Sequence, residues 1–509
     1  MRNTIFILFV GIILSLSSCR KDFDTVQSTG SLEFSKDTVY LDTVFTNIGS
    51  STYTLKVFNR SKNDIVIPTI KLGRDDSKYR MMVDGMTGNG GNGKVFSNVE
   101  LLAKDSLFIF IETTASIADA DPADFLYTDE IQFFAGSNYQ KVNLVTLVQD
   151  AVFIYPNRPL PTDMRETLTF GGETESSGIQ GHELQTDDEL HWTAEKPYVI
   201  YGYAMVPNNK TLVIDPGARV HFHAESGLIV DQLGVLKINE NNTFDPANPL
   251  VNEVVFEGDR LEPMYSDIPG QWGTIWLRGT QSTSNIINHL TLKNAVVGML
   301  VDQSVLKINH SQIYDCSNVG ILATAATISG KNLVMNTAGQ ANFATISGGT
   351  YDFNYCTFNN NWASSNQVSV SLSNYSENEN GEKIAAPLTS TFKNSIIYGS
   401  NRIQLFIDTV DGSSAPVTLF DHCLIKFNDA DTALEDVTLY DFIRQQQNGN
   451  IKNQDPKFTA IAKNKMTLLE SSAAIAKAVF DPLVPKDILG NDRPSSGPDI
   501  GPYQFIANP

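Results

Sequence analysis

Short apolar stretches recur at a nearly constant interval between about Ile286 and Phe427. Each stretch is rich in Ile, Leu, Val, Phe and Thr and is bounded by Gly, Asn, Ser or Asp. This composition is typical of a short strand followed by a turn, whereas a helix would need a longer apolar run with a spacing of three to four residues. The pattern therefore predicts stacked strands rather than helices.

The clearest copies of the repeat carry one apolar marker residue each. The markers lie 21, 21 and 24 residues apart, at Leu292, Ile313, Val334 and Phe358. A period of this length suits one coil of a parallel β-helix, in which neighbouring coils stack about 4.8 Å apart and bury a shared interior row. We predict such a β-helix over residues 198–427.

Polar residues end the same copies of the repeat. They are Asn294, Asp315, Asn336 and Asn360. Asparagine side chains stacked at a turn can hydrogen-bond to each other and to the turn backbone, which predicts an inward asparagine ladder. The general preference of asparagine for turns is the simpler alternative.

The remaining chain also has the composition of an all-β protein. Residues 30–150 contain strand-length runs separated by turn clusters, which predicts an antiparallel β-sandwich. The runs are Thr38–Phe45, Thr52–Asn59, Ile65–Leu72, Ser106–Thr113, Glu130–Phe134 and Lys141–Val148. Residues 151–197 contain several prolines and are predicted to be a connector. Residues 428–509, where the repeat fades, are predicted to form a C-terminal cap over the open edge of the last coil.

Residues 1–19 have the pattern of a secretory signal peptide. A basic residue precedes an apolar core, and small residues precede Cys19, so the segment is too short and wrongly flanked for a spanning helix. The sequence Leu16-Ser17-Ser18-Cys19 resembles the bacterial lipobox. That resemblance implies that Cys19 becomes the lipidated first residue of the mature protein and that residues 20–29 are a tether.

The charge balance restricts the partners. The chain has 37 basic and 57 acidic residues, for a net charge of −20, and loss of Arg2 with the leader makes it −21. Nucleic acids and anionic membrane surfaces bind to Lys/Arg patches, so neither is an expected partner. The three cysteines after Cys19 are odd in number, lack CxxC spacing and lie at three different registers of the repeat. A disulfide framework and a zinc site are therefore not expected. The sequence also lacks HExxH, a phosphate-binding loop and an EF-hand loop, so no cofactor is expected.

Several segments resemble right-handed β-helix proteins of Bacteroidetes. They are DPGARV (Asp215–Val220), VVFEG (Val254–Gly258), PGQWGTIWL (Pro269–Leu277), YDFNYCTFNNNW (Tyr351–Trp362) and NDRPSSGPDIGPYQF (Asn491–Phe505). The sandwich region resembles the immunoglobulin-like modules of surface lipoproteins from the same group. The resemblance implies an immunoglobulin-like sandwich, then a right-handed, pectate-lyase-like parallel β-helix, in a lipid-anchored outer-membrane protein exposed at the cell surface. It implies nothing about chemistry.

One column of polar residues is the main candidate for catalysis. Three residues before each marker, the repeat places His289, His310, Lys331, Tyr355, Lys393 and Asp421. Strand alternation predicts that they form an exposed strip of the residue types that transfer protons in glycan-cleaving enzymes. The alternative is a set of ordinary exposed polar positions, because the strip has one carboxylate where a glycoside hydrolase needs two.

Two further groups are candidates for binding. His221, His223 and Glu225 alternate along one predicted strand and are a candidate metal site, with a solvated outer face as the alternative. Trp272, Trp276 and Trp362 are candidates for stacking on sugar rings, with packing in the core as the alternative.

The expected function is a non-catalytic, lipid-anchored module for adhesion or glycan binding. Its partners would be the membrane, through Cys19, and carbohydrate or cell-envelope proteins. Two alternatives stay open: a polysaccharide lyase or glycoside hydrolase acting along the polar strip, and an accessory component of a cell-envelope assembly. The sequence does not identify the ligand.

Overall fold

The computed structural model describes residues 24–507, apart from 136–137, 159, 161, 281–283, 411–414, 431–433 and 435–436. The chain divides into two compact units, Met1–Asp150 and Ala151–Pro509. Both are built from strands, which confirms the predicted all-β class. In the part of the chain that is described, no helix has the length and apolar character needed to cross a membrane. Cys19 lies outside the described residues.

The N-terminal unit is a sandwich of two mainly antiparallel sheets. The larger sheet contains Val26–Gln27, Thr38–Phe45, Ile65–Leu72, Val95–Leu101, Leu126–Ala135 and Asn138–Gln149. The smaller contains Glu33–Phe34, Tyr53–Phe58, Tyr79–Val83 and Ser106–Thr113. Alternate residues of both sheets, such as Leu55, Ile109 and Phe133, meet in one buried core. The predicted sandwich is therefore confirmed.

The C-terminal unit is a stack of coils with three parallel faces. Face A contains Val152–Ile154, Tyr198–Ile200, Arg219–Phe222, Val254–Gly258, Leu290–Lys293, Gln312–Cys316, Val334–Ala338, Thr357–Asn360, Ile396–Gly399, Leu424–Ile425 and Ile451–Lys452. Face B contains Gly181–Glu183, Tyr203–Val206, Gly227–Val230, Ile275–Arg278, Val297–Asp302, Val368–Ser373 and Leu405–Asp408. Face C contains His191–Trp192, Thr211–Ile214, Val235–Ile238, Ser284–Asn288, Val305–Asn309, Leu388–Lys393 and Val417–Asp421. Val319–Lys331 and Ala341–Asn354 each run from face B into face C. Such all-parallel stacking is that of a parallel β-helix.

The interior row differs from the prediction by one residue. Leu292 pairs with Ile313, Ile313 with Met335, and Met335 with Phe358. Val334 instead pairs with Gln312 and Thr357 and lies on the outer side of face A, so its predicted interior position is wrong. The cause is that this coil is one residue longer than the preceding one.

The predicted asparagine ladder is also wrong. The side-chain amide of Asn294 donates to the backbone carbonyls of Ser266 and Ile268. The side-chain amide of Asn360 donates to those of Ala338 and Val368. Asn336 lies one register away from Asp315, because it pairs with Tyr314. Amide pairs between coils occur elsewhere, at Asn288–Asn309, Asn354–Asn394 and Asn336–Asn359.

The β-helix begins earlier than predicted. Within residues 151–197, the strands Val152–Ile154, Gly181–Glu183 and His191–Trp192 pair in parallel with the next coil. These residues therefore form the first coil rather than a connector. Their strands are only two or three residues long, which explains why the sequence pattern does not reveal them.

The stack is capped by a short segment. Phe442, in the helix Asp441–Arg444, stacks on Phe420 at 4.6 Å, and Tyr440 stacks on Phe427 at 4.9 Å. Residues 458–505, called here the C-terminal segment, instead lie along the outer side of face A. There they cover Tyr314, Val334, Tyr355, Ile396 and Leu424. Within the predicted cap, residues 428–509, Tyr440 and Phe442 cover the last coil as expected. The prediction is wrong for residues 458–505, because they bury the apolar outer surface of face A instead.

The three described cysteines are buried and free. Cys356 and Cys423 precede Thr357 and Leu424, which belong to one paired column, so the prediction of three separate registers is wrong. Ser395 of the intervening coil lies between them, and its hydroxyl oxygen accepts a hydrogen bond from the backbone N–H of Cys356 at 3.1 Å. Burial raises the pKa of each thiol to about 12.

Shortening an interior side chain should destabilise the β-helix. Ile313→Ala should lower its free energy of unfolding by about 2–5 kcal/mol, because a buried aliphatic group is lost and a cavity remains. Ile384→Ala, on the exposed hairpin Tyr375–Glu377/Lys383–Ala385, is the matched control and should change it by less than about 0.5 kcal/mol. All four tryptophans belong to the C-terminal unit, so urea unfolding followed by their fluorescence measures this unit. Equal losses in both variants would contradict the assigned interior row.

Candidate functional site

A column of left-handed turn residues connects face C to face A. Its members are His289, His310, Asn332, Tyr355, Asn394 and His422, all with φ between 48° and 55°. Asn and His are enriched among the side chains that adopt this region. Each of these residues follows the end of a face C strand and projects at the same corner of its coil. We call this set the turn column.

The predicted catalytic strip combines two registers of this corner. His289, His310 and Tyr355 belong to the turn column. The other three members precede the turn column by one residue and end face C strands; they are Lys331, Lys393 and Asp421. The strand register shows this, because Lys331 and Lys393 both pair with Asn354, and Lys393 pairs with Asp421. The prediction that these six residues form a single column is therefore wrong.

The strip is also largely covered rather than exposed. Tyr355 is fully buried, its hydroxyl donates to the carbonyl of Val479 at 2.7 Å, and the Arg493 guanidinium lies 3.8 Å from its ring centre. Asp421 faces Nδ1 of His422 at 2.7 Å, and Lys393 is exposed. The prediction of an exposed strip is wrong, because the C-terminal segment lies over part of it. His289, His310 and Lys331 remain together.

These three residues line a cavity of about 430 Å³. Its other walls are the loop 239–253, between faces C and A, and the C-terminal segment. The full lining is Asn242, Phe244, Pro246, His289, His310, Lys331, Leu483, Val484, Pro485, Lys486, Asp487, Ile488 and Gly490. The lining is mostly apolar with a few polar groups, as in binding sites for small molecules, whose volumes are about 300–1,000 Å³.

An aromatic stack forms one wall of the cavity. The Phe244 ring lies 4.7 Å from that of His289, which lies 5.0 Å from that of His310, with interplanar angles of 7° and 10°. Burial lowers the pKa of His289 to about 4. Burial and the nearby cationic groups lower the pKa of His310 to about 3. Both imidazoles are therefore neutral at pH 7.

The polar groups of His289 and His310 differ in their contacts. Nδ1 of His310 lies 3.3 Å from the Asn332 amide nitrogen. Nε2 of His289 is buried and has no hydrogen-bond partner among the residues that the structure describes. A buried polar atom without a partner costs free energy, which a bound ligand can recover.

The opposite wall is held in place by a buried arginine. The Asn332 amide donates to the carbonyl of Lys486 at 2.9 Å, and Arg493 donates to Oδ1 of the Asn332 side chain at 2.8 Å. Burial lowers the pKa of Arg493 to about 10, so its guanidinium stays charged at neutral pH. The turn column therefore fixes the position of the C-terminal segment at the cavity.

The charged groups of the cavity are unequally paired. Asp487 is the one carboxylate among the described lining residues, and it accepts four hydrogen bonds, from the backbone of Leu489, Asn491 and Gln504 and from the Asn491 amide. Lys486 pairs with Asp492 at 2.7 Å. Lys331 has no ion-pair partner in the described part of the chain.

The three tryptophans lie in different environments. Trp272 is buried, stacks on Phe222 at 4.3 Å and donates to the carbonyl of Lys293, so it cannot present its ring to a sugar. Trp276 is half-buried beneath Phe170 at 5.7 Å. Trp362 is half-buried in the turn after Asn360. None of them lines the cavity.

The candidate metal ligands are not brought together. His221 is buried and lies 3.7 Å from Glu257, whereas His223 is 2.7 Å from Asp259 and stacks on Tyr201. Glu225 follows in an exposed turn. Among the described residues, no three His, Cys, Asp or Glu side chains are arranged to hold a metal ion.

The sequence analysis missed Phe244 and the C-terminal wall. The length of the repeat carries a signal for the loop 239–253: Tyr198 pairs with Val220 after 22 residues, whereas Val220 pairs with Phe256 after 36. Excess length marks a loop on the side of a solenoid, often the binding side. Nothing in the local sequence indicates that residues 483–490 pack beside this cavity.

Comparisons with known proteins add little. No protein-family profile and no curated protein matches the chain. Among solved structures, a family 123 glycoside hydrolase from Clostridium perfringens has a TM-score of 0.19 and 8% identity over 25% of this chain and 29% of that one. The periplasmic chaperone SfaE has a TM-score of 0.16 and 12% identity over 23% and 58%. The catalytic domain of a GH87 α-1,3-glucanase bound to nigerose has a TM-score of 0.16 and 9% identity over 75% and 81%. The chain thus spans less than two thirds of the first two, and TM-scores this low identify no function.

The buried imidazoles should make stability depend on pH. A pKa lowered on folding favours the folded state above the unfolded value of about 6.5, and this contribution is lost as pH falls towards about 4. When the pH falls from 6.5 to 5, each histidine should lower the free energy of unfolding by up to about 2 kcal/mol. The control is the double variant His289→Asn/His310→Asn, because Asn332 and Asn394 adopt the same backbone. Its free energy of unfolding in urea should fall less over this range, and equal slopes would contradict the assignment.

Proposed function

We propose that this protein is a non-catalytic carbohydrate-binding module, held at the outer membrane by a lipid on Cys19 and displayed at the cell surface. The observation that carries the binding role is the cavity of about 430 Å³ beside the turn column. Its stacked rings and aliphatic walls suit the apolar face of a sugar ring. Its neutral imidazoles suit hydroxyl groups, which both donate and accept hydrogen bonds.

The chemistry of the lining favours binding over cleavage. Glycoside hydrolysis needs two carboxyl groups, one of which gives or takes a proton. Asp487 has both oxygens occupied by hydrogen bonds. The two imidazoles have pKa values of about 4 and 3, far below the neutral range in which a general base works best. The polar groups of the cavity are therefore suited to hold a ligand rather than to transfer its protons.

A glycan array probed with the soluble 20–509 protein should show binding to a restricted set of glycans. Phe244→Ala should abolish most of this binding, because it removes one end of the ring stack. Phe406→Ala, which truncates an aromatic side chain exposed on face B, is the control and should leave binding unchanged. Array binding that is indifferent to Phe244→Ala would place the binding surface elsewhere.

The bound glycans should also be recovered intact. Incubation with the 20–509 protein should release neither new reducing ends nor unsaturated products. Release of either product above that of a heat-denatured control would overturn the non-catalytic proposal.

Lipidation is tested on the full chain in a bacterial host that modifies lipoproteins. The chain should incorporate a labelled fatty acid and sediment with membranes, because the lipobox-like sequence ends at Cys19. Cys19→Ser should remain unlabelled, while Cys423→Ser, which changes a buried interior thiol, should be labelled normally. Labelling of Cys19→Ser would contradict this site of attachment.

A further inference from the structure

We propose that the N-terminal sandwich rests on the surface of a zwitterionic phospholipid bilayer through the outer side of its smaller sheet. This side carries Phe58, Met82, Phe108 and Phe110, with Lys56 among them, and is called here the aromatic face. The inference rests on the proposed lipid anchor and goes beyond it, because it assigns a second contact with the lipid that is made by the folded protein itself.

The aromatic face groups apolar side chains that point away from the sandwich core. Strand pairing places Lys56 opposite Phe108, and places Thr54 and Met82 opposite Phe110. Phe108, Phe110 and Met82 are 43%, 40% and 42% exposed. The two phenylalanine rings lie 6.3 Å apart with an interplanar angle of 17°. Because the solvated side of an antiparallel sheet is usually polar, such a group indicates a contact surface for a membrane or another apolar partner.

Cationic side chains lie over these rings. Nζ of Lys56 is 5.0 Å from the ring centre of Phe108 and 5.4 Å from that of Phe58, and the guanidinium of Arg60 is 4.3 Å from the Phe58 ring centre. Long cationic side chains can place their apolar stems in an apolar layer and keep the charged group in a polar one. The arrangement therefore suits the boundary between lipid headgroups and acyl chains, where rings and cationic groups are both stabilised.

The charges beside the aromatic face have both signs. They include the cations Lys56, Arg60, Lys62 and Lys104 and the acids Glu33, Asp64, Asp84 and Asp105. A zwitterionic headgroup also carries both signs, a phosphate and an ammonium, and can pair with either. An anionic surface would instead select a basic patch. The charge pattern therefore favours a zwitterionic phospholipid.

The chain enters the sandwich beside the aromatic face. The N–H of Val26 donates to the carbonyl of Asp64 at 2.9 Å, and Asp64 belongs to the turn that follows Phe58. The Asp64 carboxylate accepts a hydrogen bond from the N–H of Ala103 at 2.8 Å, in the turn that precedes the strand of Phe108. The tether therefore reaches the sandwich at the end where two strands of the aromatic face meet their turns.

The tether is short enough to hold this end near the bilayer. Val26 lies seven residues after Cys19, a stretch that spans at most about 25 Å when fully extended. Another exposed aromatic residue, Tyr40, lies on Thr38–Phe45, which is separated from Val26–Gln27 by three strands of the larger sheet. The aromatic face is therefore better placed than Tyr40 to contact the lipid.

The test holds the 20–509 protein on vesicles through an N-terminal hexahistidine tag and a nickel-chelating lipid, so that it does not require lipidation. Phe108→Cys is labelled with an environment-sensitive fluorophore and bound to phosphatidylcholine vesicles that contain a nitroxide-labelled lipid. Its emission should shift to the blue and be quenched, relative to vesicles without the chelating lipid. Tyr40→Cys is the control and should show neither change. The described interior cysteines should not compete for the label, because burial raises the pKa of each thiol to about 12.

A second measurement gives the contribution of the rings to binding. The double variant Phe108→Ala/Phe110→Ala should bind the same nickel vesicles about tenfold more weakly than the unmodified tagged protein, because two partly exposed rings no longer enter the interface. Tyr40→Ala should leave the affinity unchanged. These three rings point away from the buried core of the sandwich, so their removal should not unfold it.

The other outcomes overturn the inference. Quenching at both labelled positions or at neither would contradict the assigned face, and equal affinity of the double variant and the unmodified protein would contradict the role of its rings. Tighter binding when phosphatidylglycerol replaces part of the phosphatidylcholine would overturn the choice of a zwitterionic lipid. Because the tag takes the place of the lipid, these results do not depend on Cys19, whose modification is tested separately by fatty-acid labelling.

Discussion

The C-terminal unit depends on one repeated backbone constraint, the left-handed residue that follows each face C strand from His289 onward. Turning the chain there within one or two residues lets the next face A strand begin in register, so that its backbone groups pair with the coils on both sides. Asparagine and histidine adopt this conformation more readily than most side chains, and the turn column is composed largely of them. The constraint also sets the location of function, because it projects polar side chains at the same corner of successive coils.

The C-terminal segment uses that corner as its attachment site. Asn332, Tyr355 and Asn394 each hydrogen-bond to its backbone, and Arg493 reaches back to Asn332. A surface that would otherwise expose Val334 and its apolar neighbours is thereby buried. The cavity exists where this cover is incomplete, between residues 483–490 and the loop 239–253. A side chain of the column lines the cavity or lies beneath the C-terminal segment according to its position along the column, which is why His289 and Tyr355 have different surroundings despite sharing one register.

Features that arise from periodicity could be predicted from the sequence, whereas features that arise from docking could not. Stacked strands, the sandwich and most interior markers belong to the first kind, because burial on one side leaves a regular alternation. Leu333, Val334 and Met335 show no alternation, because the C-terminal segment covers the outer side of this strand as well. The sequence pattern therefore does not distinguish Val334 from Met335 as the interior residue. Likewise, Asn332 and Lys486 are 154 residues apart, and no local pattern indicates that they meet. The repeat column predicts the histidines as candidates, but their burial, and with it their chemistry, depends on Phe244 of the loop 239–253 and on the distant C-terminal segment.

Burial changes the chemistry of His289 and His310 from proton transfer to fixed hydrogen bonding. An imidazole with a pKa near neutrality exchanges protons readily, whereas at pKa values of about 4 and 3 it keeps one nitrogen as donor and the other as acceptor across the physiological range. Asp487 has both oxygens occupied by hydrogen bonds and Lys486 is paired with Asp492, so the two neutral rings contribute hydrogen-bonding groups of fixed direction, rather than charge, to the wall of the cavity.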